Sequence, residues 1–254
     1  MPLNFCLKKP LIWFATLIGL APVMAGAHPI DRAQRTEIES IIHQYLVENP
    51  EILDEMIRAL RVREVASAQA QAKLVIDAKY NKIFYPGPAF VTGNPKGDVT
   101  LVEFFDYTCS YCKESLKDVV KLMEQDKNLR VVFIDYPALS NRNPNSMIAT
   151  RASVAAANQG KYVEFHLKMM GSMTPLTQKS ILRYAKESGL DEEQLLRDMN
   201  APETYARIDA NIELAHELGM DGTPSFVVGE HVIAGALGYD TLRQLVALVR
   251  EQKK

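Results

Sequence analysis

Residues 102–113 read VEFFDYTCSYCK, an apolar, β-rich run that leads directly into a Cys-x-x-Cys pair. The run ends a predicted strand, Val99–Phe105, and the pair opens a predicted helix from Cys109 to about Gln125. The first turn of a helix presents unpaired backbone N–H groups and the positive end of the helix dipole, and both stabilise negative charge. We therefore predict that Cys109 is a nucleophilic thiolate and that Cys112, one turn further on, resolves its mixed disulfides.

The same pair has two other interpretations. A zinc site needs two further ligands, but the sequence has no second Cys-x-x-Cys and its five histidines are scattered singly. A purely structural bridge across two residues closes too small a loop to add much stability. Redox chemistry fits the spacing better than either, and we expect no metal and no cofactor at the pair.

The first 27 residues have the pattern of a secretory signal peptide. A positive region, Lys8-Lys9, precedes an almost wholly apolar run, residues 11–20, and Ala25-Gly26-Ala27 is a small-x-small cleavage site. Cleavage after Ala27 makes His28 the first mature residue and leaves the Cys-x-x-Cys pair as the only mature cysteines. A retained anchor is the alternative, but the apolar run is short for a membrane span.

The bulk composition is that of an ordinary globular protein, with 47% apolar and 24% charged residues. The formal net charge is −2 and the sequence pI is about 6.2. Because there is no basic excess, we expect no nucleic-acid partner.

Two helices are predicted between the cleavage site and residue 82. The first carries apolar residues at helical spacing, and Asn49-Pro50 is a typical helix start for the second, which is expected to run to about Lys82. Helices on their own are marginal in water, so the apolar faces of these two need a partner. We predict that residues 28–85 form an oligomerisation segment; packing on the chain's own domain is the alternative. Tyr85-Pro86-Gly87-Pro88 is the predicted break before a domain of residues 86–254.

That domain is predicted to be an α/β sheet with a helical insert at about residues 140–220. Three further strands and a last helix are expected at Val131–Asp135, Ser225–Val228, His231–Ala234 and Tyr239–Glu251. The insert is expected to break near Gly160, Gly171 and Gly189.

The segment Gly222-Thr223-Pro224-Ser225-Phe226 stands just before a late strand. Together with the strand, Cys-x-x-Cys and helix, it resembles the thioredoxin-like fold over about residues 88–252, and the Glu-Phe-Phe run and helical insert resemble its DsbA branch. The resemblance implies that Pro224 is a cis-proline facing the two cysteines and that Thr223 presents backbone groups to an extended substrate. Ser110 and Tyr111 would also face the substrate. They replace the Pro-His of the strongest oxidants, which argues against a strongly oxidising potential.

Glu103 matches, by its spacing before the first cysteine, the acidic residue that this branch keeps near the pair. A carboxylate inside an apolar strand has a raised pKa, so Glu103 could relay a proton to or from Cys112. The alternative is a glutamate on the solvent face of the strand.

Residues 42–53, with the pattern Ile-x-x-Tyr-Leu-x-Glu-Asn-Pro-Glu-Ile-Leu, resemble the N-terminal segment of the suppressor-of-copper-sensitivity C proteins. They also resemble dimeric DsbA-like envelope proteins, some described as outer-membrane antigens. This resemblance implies a periplasmic homo-oligomer, with a dimer favoured over a trimer, and leaves an outer-membrane association open. The implied partners are exported polypeptide substrates and a membrane-bound redox partner.

Three functions remain in competition on the sequence. The first is an oligomeric disulfide isomerase and oxidase, and the second is a monomeric dithiol oxidase. The third is copper handling or surface binding, in which Met169-Met170-x-x-Met173 and the thiol pair hold Cu(I).

Seven other residues receive simpler interpretations. Tyr162, Phe165 and His166 are expected to pack the core of the insert, and Asp106 and Tyr107 to shape only the turn before Cys109. Lys113 and Lys117 are expected to be solvated, with Lys113 giving the thiolate at most slight support.

Overall fold

The computed structural model describes residues 31–87 and 90–253. The predicted signal peptide, residues 1–27, lies outside the described residues. The described chain divides into two units, the first ending at Ile57 and the second beginning at Arg58.

The N-terminal helices begin and end at identifiable signals. Helix α1, Arg32–Glu48, starts after Asp31, whose carboxylate accepts the Gln34 N–H at 2.8 Å while the Gln34 side chain accepts the Asp31 N–H at 3.1 Å. This reciprocal capping box satisfies two of the unpaired donors of the first turn. No residue of α1 is buried.

The second predicted helix is divided in the structure. Helix α2 covers Glu51–Ala78 and a short α3 covers Tyr80–Phe84, so the expectation of one helix to about Lys82 is wrong at its end. Lys79 leaves helical geometry between them. The break accompanies a change of environment, since Ile83 and Phe84 are buried against the sheet.

A five-stranded sheet forms the centre of the second unit. Its strands are β1 Val91–Gly93, β2 Val99–Phe105, β3 Leu129–Asp135, β4 Ser225–Val228 and β5 His231–Ala234. They lie in the order β1-β3-β2-β4-β5, in which β2 and β3 are parallel and the remaining pairs are antiparallel. Four of them agree with the sequence prediction, while β1, a three-residue edge strand, was not predicted.

Seven helices complete the described part of this unit, and five of them form the insert between β3 and β4. They are α4 Ser110–Gln125, α5 Pro144–Asn158, α6 Tyr162–Met170, α7 Gln178–Glu187, α8 Glu192–Asp198, α9 Pro202–Glu217 and α10 Tyr239–Gln252. The insert breaks where glycines were expected to break it. Gly160 and Gly189 adopt φ values of +67° and +73° just past helix ends, a region that glycine enters without steric cost.

Both faces of the sheet are covered, which is why β2 and β3 are almost continuously apolar. On one face Leu101 and Phe105 pack in the same cluster as α4 and α10, and on the other Val102 and Phe104 pack with α2, α3 and α9. Because side chains alternate along a strand, Glu103 lies on the α4 face between Leu101 and Phe105. The α/β sheet with a helical insert is therefore the architecture observed.

Candidate active site

Cys109 is the N-cap residue of α4, with φ −79° and ψ 120°. Its N–H donates to the Asp106 carbonyl at 3.1 Å, and its own carbonyl accepts the Lys113 N–H at 3.3 Å. The sulfur therefore stands at the positive end of the helix, where unpaired N–H groups point. Both cysteines of the described chain are free thiols in the structure.

The surroundings of Cys109 lower the pKa of its thiol from 9.0 to about 6. The largest cause is a hydrogen bond from the Cys112 side chain, and the Thr223 side chain and the backbone of Cys112 and Tyr111 act in the same direction. Burial opposes them. At neutral pH the thiolate is therefore the main form of Cys109, and the thiolate is the species that attacks a disulfide.

The fold brings Thr223 and Pro224 to this sulfur across more than a hundred residues of sequence. Cys109 Sγ lies 3.3 Å from the Thr223 carbonyl oxygen, to which the protonated thiol donates. The Thr223–Pro224 peptide bond is cis. The Pro224 carbonyl accepts the Gly235 N–H at 2.8 Å, which ties this loop to the end of β5.

Ser110 and Tyr111 follow Cys109 on the outside of the helix. Both are exposed, and Tyr111 has 63% of its surface accessible. The dipeptide is therefore open to a second molecule that approaches Cys109.

Cys112 lies beneath Cys109 and is fully buried. Its sulfur accepts the Asp106 N–H at 3.5 Å. Burial is the largest cause that raises the pKa of this thiol far above its ordinary range, and the nearby charges of Glu103 and Cys109 add to it. At neutral pH Cys109 is therefore mainly a thiolate that can attack a disulfide, whereas Cys112 is a protonated, inaccessible thiol.

Glu103 is buried, with 1% of its surface accessible, so the alternative of a solvent-facing glutamate is wrong. Burial first, and then the negative charge of Cys109, raise its pKa from 4.5 to about 8. Ser115 lies close enough to oppose this rise weakly, but neither carboxyl oxygen has a hydrogen-bond partner within the described residues. A buried acid that titrates near neutral pH is suited to exchanging a proton.

Asp106 does more than shape the turn before Cys109. One of its carboxylate oxygens accepts the Thr108 N–H at 2.7 Å and the Thr108 hydroxyl at 2.8 Å. The other accepts the Leu139 N–H at 2.9 Å and the Ser146 hydroxyl at 2.7 Å. The active-site turn is therefore fastened to the connection between β3 and α5, a contact that the sequence prediction missed. The Asp-x-Thr spacing, which is typical of an Asx turn, indicates only its local half.

Lys113 is half-buried, so the expectation that it is solvated is wrong. Its Nζ donates to the Ser172 carbonyl at 2.8 Å, and burial lowers its pKa. Lys117 is exposed, as expected.

The aromatic cluster of the insert is buried as predicted: Tyr162, Phe165 and His166 are almost inaccessible. The Tyr107 hydroxyl lies 3.1 Å from His166 Nδ1, and burial lowers the pKa of His166 to about 3, so the imidazole is neutral. Tyr107, two residues before Cys109, thus packs against this cluster.

The methionines considered for copper differ in their exposure. Met169 and Met170 are buried, whereas Met173 has 91% of its surface accessible. Within residues 31–87 and 90–253, no three side chains of His, Cys, Asp or Glu form a group that could hold a metal ion.

Two family models match the chain. The model described as thioredoxin matches residues 87–247, and the model described as the copper resistance protein ScsC N-terminal domain matches residues 34–66. The first covers the sheet and its insert with both cysteines, and the second covers α1 and the first half of α2.

Solved structures agree with these matches. A thioredoxin-like oxidoreductase from Silicibacter pomeroyi is 42% identical, with a TM-score of 0.63 over 67% of this chain and 97% of that one. Proteus mirabilis ScsC in a transitional conformation is 26% identical, with a TM-score of 0.62 over 87% of this chain and 99% of that one. The thiol-disulfide exchange protein alpha-DsbA2 from Wolbachia pipientis is 26% identical, with a TM-score of 0.63 over 72% of this chain and 98% of that one.

Curated relatives that match by sequence carry a different name. The Na⁺/H⁺ antiporter NhaA of Herminiimonas arsenicoxydans is 29% identical over 165 residues, which is 65% of this chain and 25% of the antiporter. The chain thus spans about a quarter of the length of the curated relatives it matches. None of the helices described here is both long and apolar enough to cross a bilayer.

Proposed function

The chain belongs to the thioredoxin family, as a thiol–disulfide oxidoreductase related to the ScsC and DsbA-like proteins, and we propose that it forms and isomerises disulfides in exported proteins. Cys109 and Cys112 are its redox pair in this proposal. The observation that carries it is the position of the Cys109 sulfur. It stands at the first turn of α4, has a pKa lowered to about 6 and lies beside the loop that contains Pro224.

The proposed reactions are isomerisation, in which no net electrons pass between the pair and the polypeptide, and oxidation, in which the pair takes two electrons from the polypeptide. In isomerisation, the Cys109 thiolate attacks one sulfur of a substrate disulfide, forms a mixed disulfide and releases the other sulfur as a substrate thiolate. That thiolate then attacks a different substrate disulfide, and a last attack on the mixed disulfide releases Cys109 as the thiolate again. In oxidation, a substrate thiolate attacks Cys109 in the Cys109–Cys112 disulfide and releases Cys112. A second substrate thiolate then displaces Cys109, and the pair is left reduced.

Glu103 is proposed to handle the proton of Cys112. The Cys112 sulfur must lose a proton before it can attack the mixed disulfide, and gains one when a substrate thiolate displaces it. Burial keeps bulk water from the Cys112 sulfur, whereas the Glu103 carboxyl is close enough for its charge to raise the pKa of Cys112. With its pKa near 8, Glu103 can accept this proton as a carboxylate and return it as an acid, and the negative charge passes to the Cys112 sulfur only while that sulfur attacks the mixed disulfide.

Thr223 and Pro224 are proposed to bind the substrate backbone beside Cys109, with Ser110 and Tyr111 on the other side of the sulfur. Thr223 is in contact with the Cys109 sulfur, and Ser110 and Tyr111 are exposed. A polypeptide joined to Cys109 can therefore contact the backbone of Thr223 and Pro224 and the exposed start of α4.

The proposed location is the periplasm, after cleavage between Ala27 and His28. The signal-peptide pattern of residues 1–27 and the family match to ScsC support it. Protein disulfides form and persist in oxidising compartments, of which the periplasm is one. The proposed partners are exported polypeptides and a membrane-bound protein that resets the redox state of the pair.

We further propose that α1 and the start of α2 join copies of the chain. No residue of α1 is buried, and a row of large apolar side chains on these helices is exposed: Ile38, Ile41, Ile42, Tyr45, Leu46, Leu53 and Met56. Exposed apolar faces of this size mark association surfaces in soluble proteins. The match of residues 34–66 to the ScsC N-terminal domain supports a second copy as the partner, and a dimer is the smallest assembly that covers the face.

Two measurements test the proposed chemistry. Equilibration of the mature protein with glutathione gives the reduction potential of the pair. A value near −180 mV, or lower, is expected for a protein that isomerises, while a value near −120 mV would indicate a dedicated oxidase, by comparison with known oxidoreductases at about those potentials. Recovery of activity by a scrambled disulfide protein measures isomerisation directly. No recovery together with a strongly oxidising potential would overturn the isomerase part of the proposal.

The oligomer is tested by native mass measurement on full-length mature protein. The double change Ile41→Glu and Tyr45→Glu should give monomers, because two charges are introduced into the apolar face. Ser40→Glu is the matched control on the same helix and should leave the assembly intact. If the wild-type protein is a monomer, the oligomer is refuted, and a wild-type oligomer unaffected by the double change would refute α1 as its interface. If the assembly is needed for isomerisation, the double variant should lose recovery of scrambled substrate and keep dithiol oxidation.

A further inference from the structure

A groove of about 860 Å³ runs beside the active-site helix. One wall is a stripe of α4, in which Lys113, Leu116, Lys117 and Val120 follow the i, i+3, i+4, i+7 spacing of one helix face. The opposite wall is the end of α6 and the turn of residues 171–176. The groove is large enough for two or three amino-acid side chains by comparison with ligand pockets of roughly 300–1,000 Å³.

Hydrogen bonds hold the two walls at a fixed separation. Lys113 Nζ, on the α4 wall, donates to the carbonyl of Ser172, on the opposite wall, at 2.8 Å. The Ser172 hydroxyl donates to the Thr174 carbonyl at 2.9 Å and accepts the Tyr184 hydroxyl at 3.0 Å. The turn is thus tied both to α4 and to α7, so the groove is a formed feature of the fold.

The groove is continuous with the reactive sulfur. Thr108 and Ser110, the two neighbours of Cys109 in sequence, line its near end. A polypeptide joined to Cys109 through one of its own cysteines therefore passes the mouth of the groove.

The lining combines an apolar floor with a positive rim. Leu116, Val120, Met170 and Leu176 supply the floor, and Met173 stands on the rim with 91% of its surface accessible. The charged residues of the lining are two lysines, Lys113 and Lys117, and one carboxylate, that of Glu114. Neither lysine forms an ion pair with any residue that the structure describes, and two positive charges against one negative charge leave this wall net positive.

We propose that this groove binds the segment of the substrate polypeptide next to its reacting cysteine, and that it selects a bulky apolar side chain accompanied by a carboxylate. The inference rests on the proposed function, since it names the substrate preference of the same site. An apolar side chain gains by leaving water for the floor, and a carboxylate gains by approaching the lysines of the rim.

The geometry also gives the position of the carboxylate in the substrate. Ser110 and Lys117 are seven residues apart on α4, which is roughly 10 Å along a helix axis. An extended chain advances about 3.3 Å per residue. The acidic residue preferred by the groove therefore lies about three positions from the reacting cysteine.

Synthetic peptides with one central cysteine, blocked as a mixed disulfide with a chromogenic aryl thiol, test this preference on the full mature protein. Attack by Cys109 on the peptide sulfur releases the coloured thiol and gives the rate constant directly. The peptides carry Leu or Ala two positions from the cysteine and Glu, Gln or Lys three positions away, on either side. A symmetrical aryl disulfide without a peptide is the reference, because it does not reach the groove.

We expect the Leu peptide to react about tenfold faster than the Ala peptide, and the Glu peptide to react about threefold to fivefold faster than the Lys peptide. Lys117→Glu should reverse the charge preference among the peptides, with each rate expressed relative to the rate of the same variant with the aryl disulfide. Lys121→Glu is the matched control: Lys121 is on the same helix but packs over the Tyr239 ring, at 4.1 Å from its centroid, and it should keep the wild-type preference.

Three results would overturn the proposal. Equal rates for all peptides would show that the groove does not discriminate between substrate sequences. The same loss of preference in Lys121→Glu as in Lys117→Glu would show that only the overall charge of α4 matters. A change in native mass with Lys117→Glu, without a change in peptide preference, would identify the groove as an interface between copies. Failure of Cys109 to react even with the aryl disulfide would refute the redox function itself, which is a separate outcome.

Discussion

Replacing Glu103 by glutamine should change how the stability of the reduced protein depends on pH. In the folded protein burial and the Cys109 charge raise the pKa of Glu103 from 4.5 to about 8, whereas in the unfolded chain the side chain returns to its ordinary pKa. Between these two pH values the folded form keeps a proton that the unfolded form has lost. The free energy of unfolding therefore falls as the pH rises through this interval.

The size of the effect follows from the same two values. One pKa unit corresponds to about 1.4 kcal/mol, so the interval from 4.5 to about 8 corresponds to about 5 kcal/mol for this fully buried group. Glutamine is nearly isosteric and has no titration. The difference between the wild-type and Glu103→Gln free energies of unfolding should therefore become more favourable to the variant by several kcal/mol as the pH is raised from about 4.5 to 8.

Urea unfolding at a series of pH values, at one protein concentration and under reducing conditions, measures this difference. Groups that do not interact with Glu103 titrate alike in both proteins, so their contributions cancel in the comparison. In a Cys109→Ser background the effect should be smaller, because the thiolate no longer raises the pKa of Glu103. Parallel curves for wild type and variant across this range would refute the assignment of a raised pKa to Glu103.

Three other changes have defined outcomes. The alkylation rate of Cys109 should rise with pH around a midpoint near 6, which is the pKa of its thiol. Cys112→Ala should move that midpoint to higher pH, because the hydrogen bond from the Cys112 thiol is the largest cause of the lowered pKa. An unmoved midpoint would contradict this. Asp106→Ala should lower the free energy of unfolding by roughly 3–5 kcal/mol, since four donors lose a buried acceptor; a loss below 1 kcal/mol would contradict it. Gln69→Ala should lower the free energy of unfolding by about 1–2 kcal/mol, because the Gln69 side-chain amide forms hydrogen bonds with both the N–H and the carbonyl of Val232 on the edge strand β5. Gln71→Ala, at an exposed position of the same helix, should leave it almost unchanged. Equal losses for the two variants would refute this role of Gln69.

Local patterns predicted the centre of the molecule well. The strand Val99–Phe105 and the helix after Cys109 have strong periodicity and a clear junction, and the structure has both with nearly the expected bounds. The fold class followed from these elements and the Thr223-Pro224 pair. The family match over residues 87–247 agrees with that prediction.

Other features could not be predicted because their cause is tertiary. The strand Val91–Gly93 is too short to show alternation and exists because it pairs with β3. The second long helix breaks at Lys79, and the next residues form α3, whose Ile83 and Phe84 are buried against the sheet. The helix propensities of these residues do not indicate such a break, because its cause is packing against a distant part of the chain.

The candidate site divides in the same way. The position of Cys109 at a helix start was readable from sequence, but the half-buried state of Lys113 depends on Ser172, 59 residues away. The long-range half of the Asp106 network depends in the same way on Leu139 and Ser146. Contacts of this kind are fixed by how the insert packs on α4, and they also create the groove.

The most direct test of the central claim is to trap the reaction intermediate. The Cys112→Ala protein lacks the sulfur that resolves a mixed disulfide, so incubation with a polypeptide that contains a disulfide should give a stable covalent adduct. Peptide mapping by mass spectrometry should find that adduct on Cys109, and Cys109→Ser should form none. An absence of adduct in Cys112→Ala, or an adduct that persists in Cys109→Ser, would contradict the account.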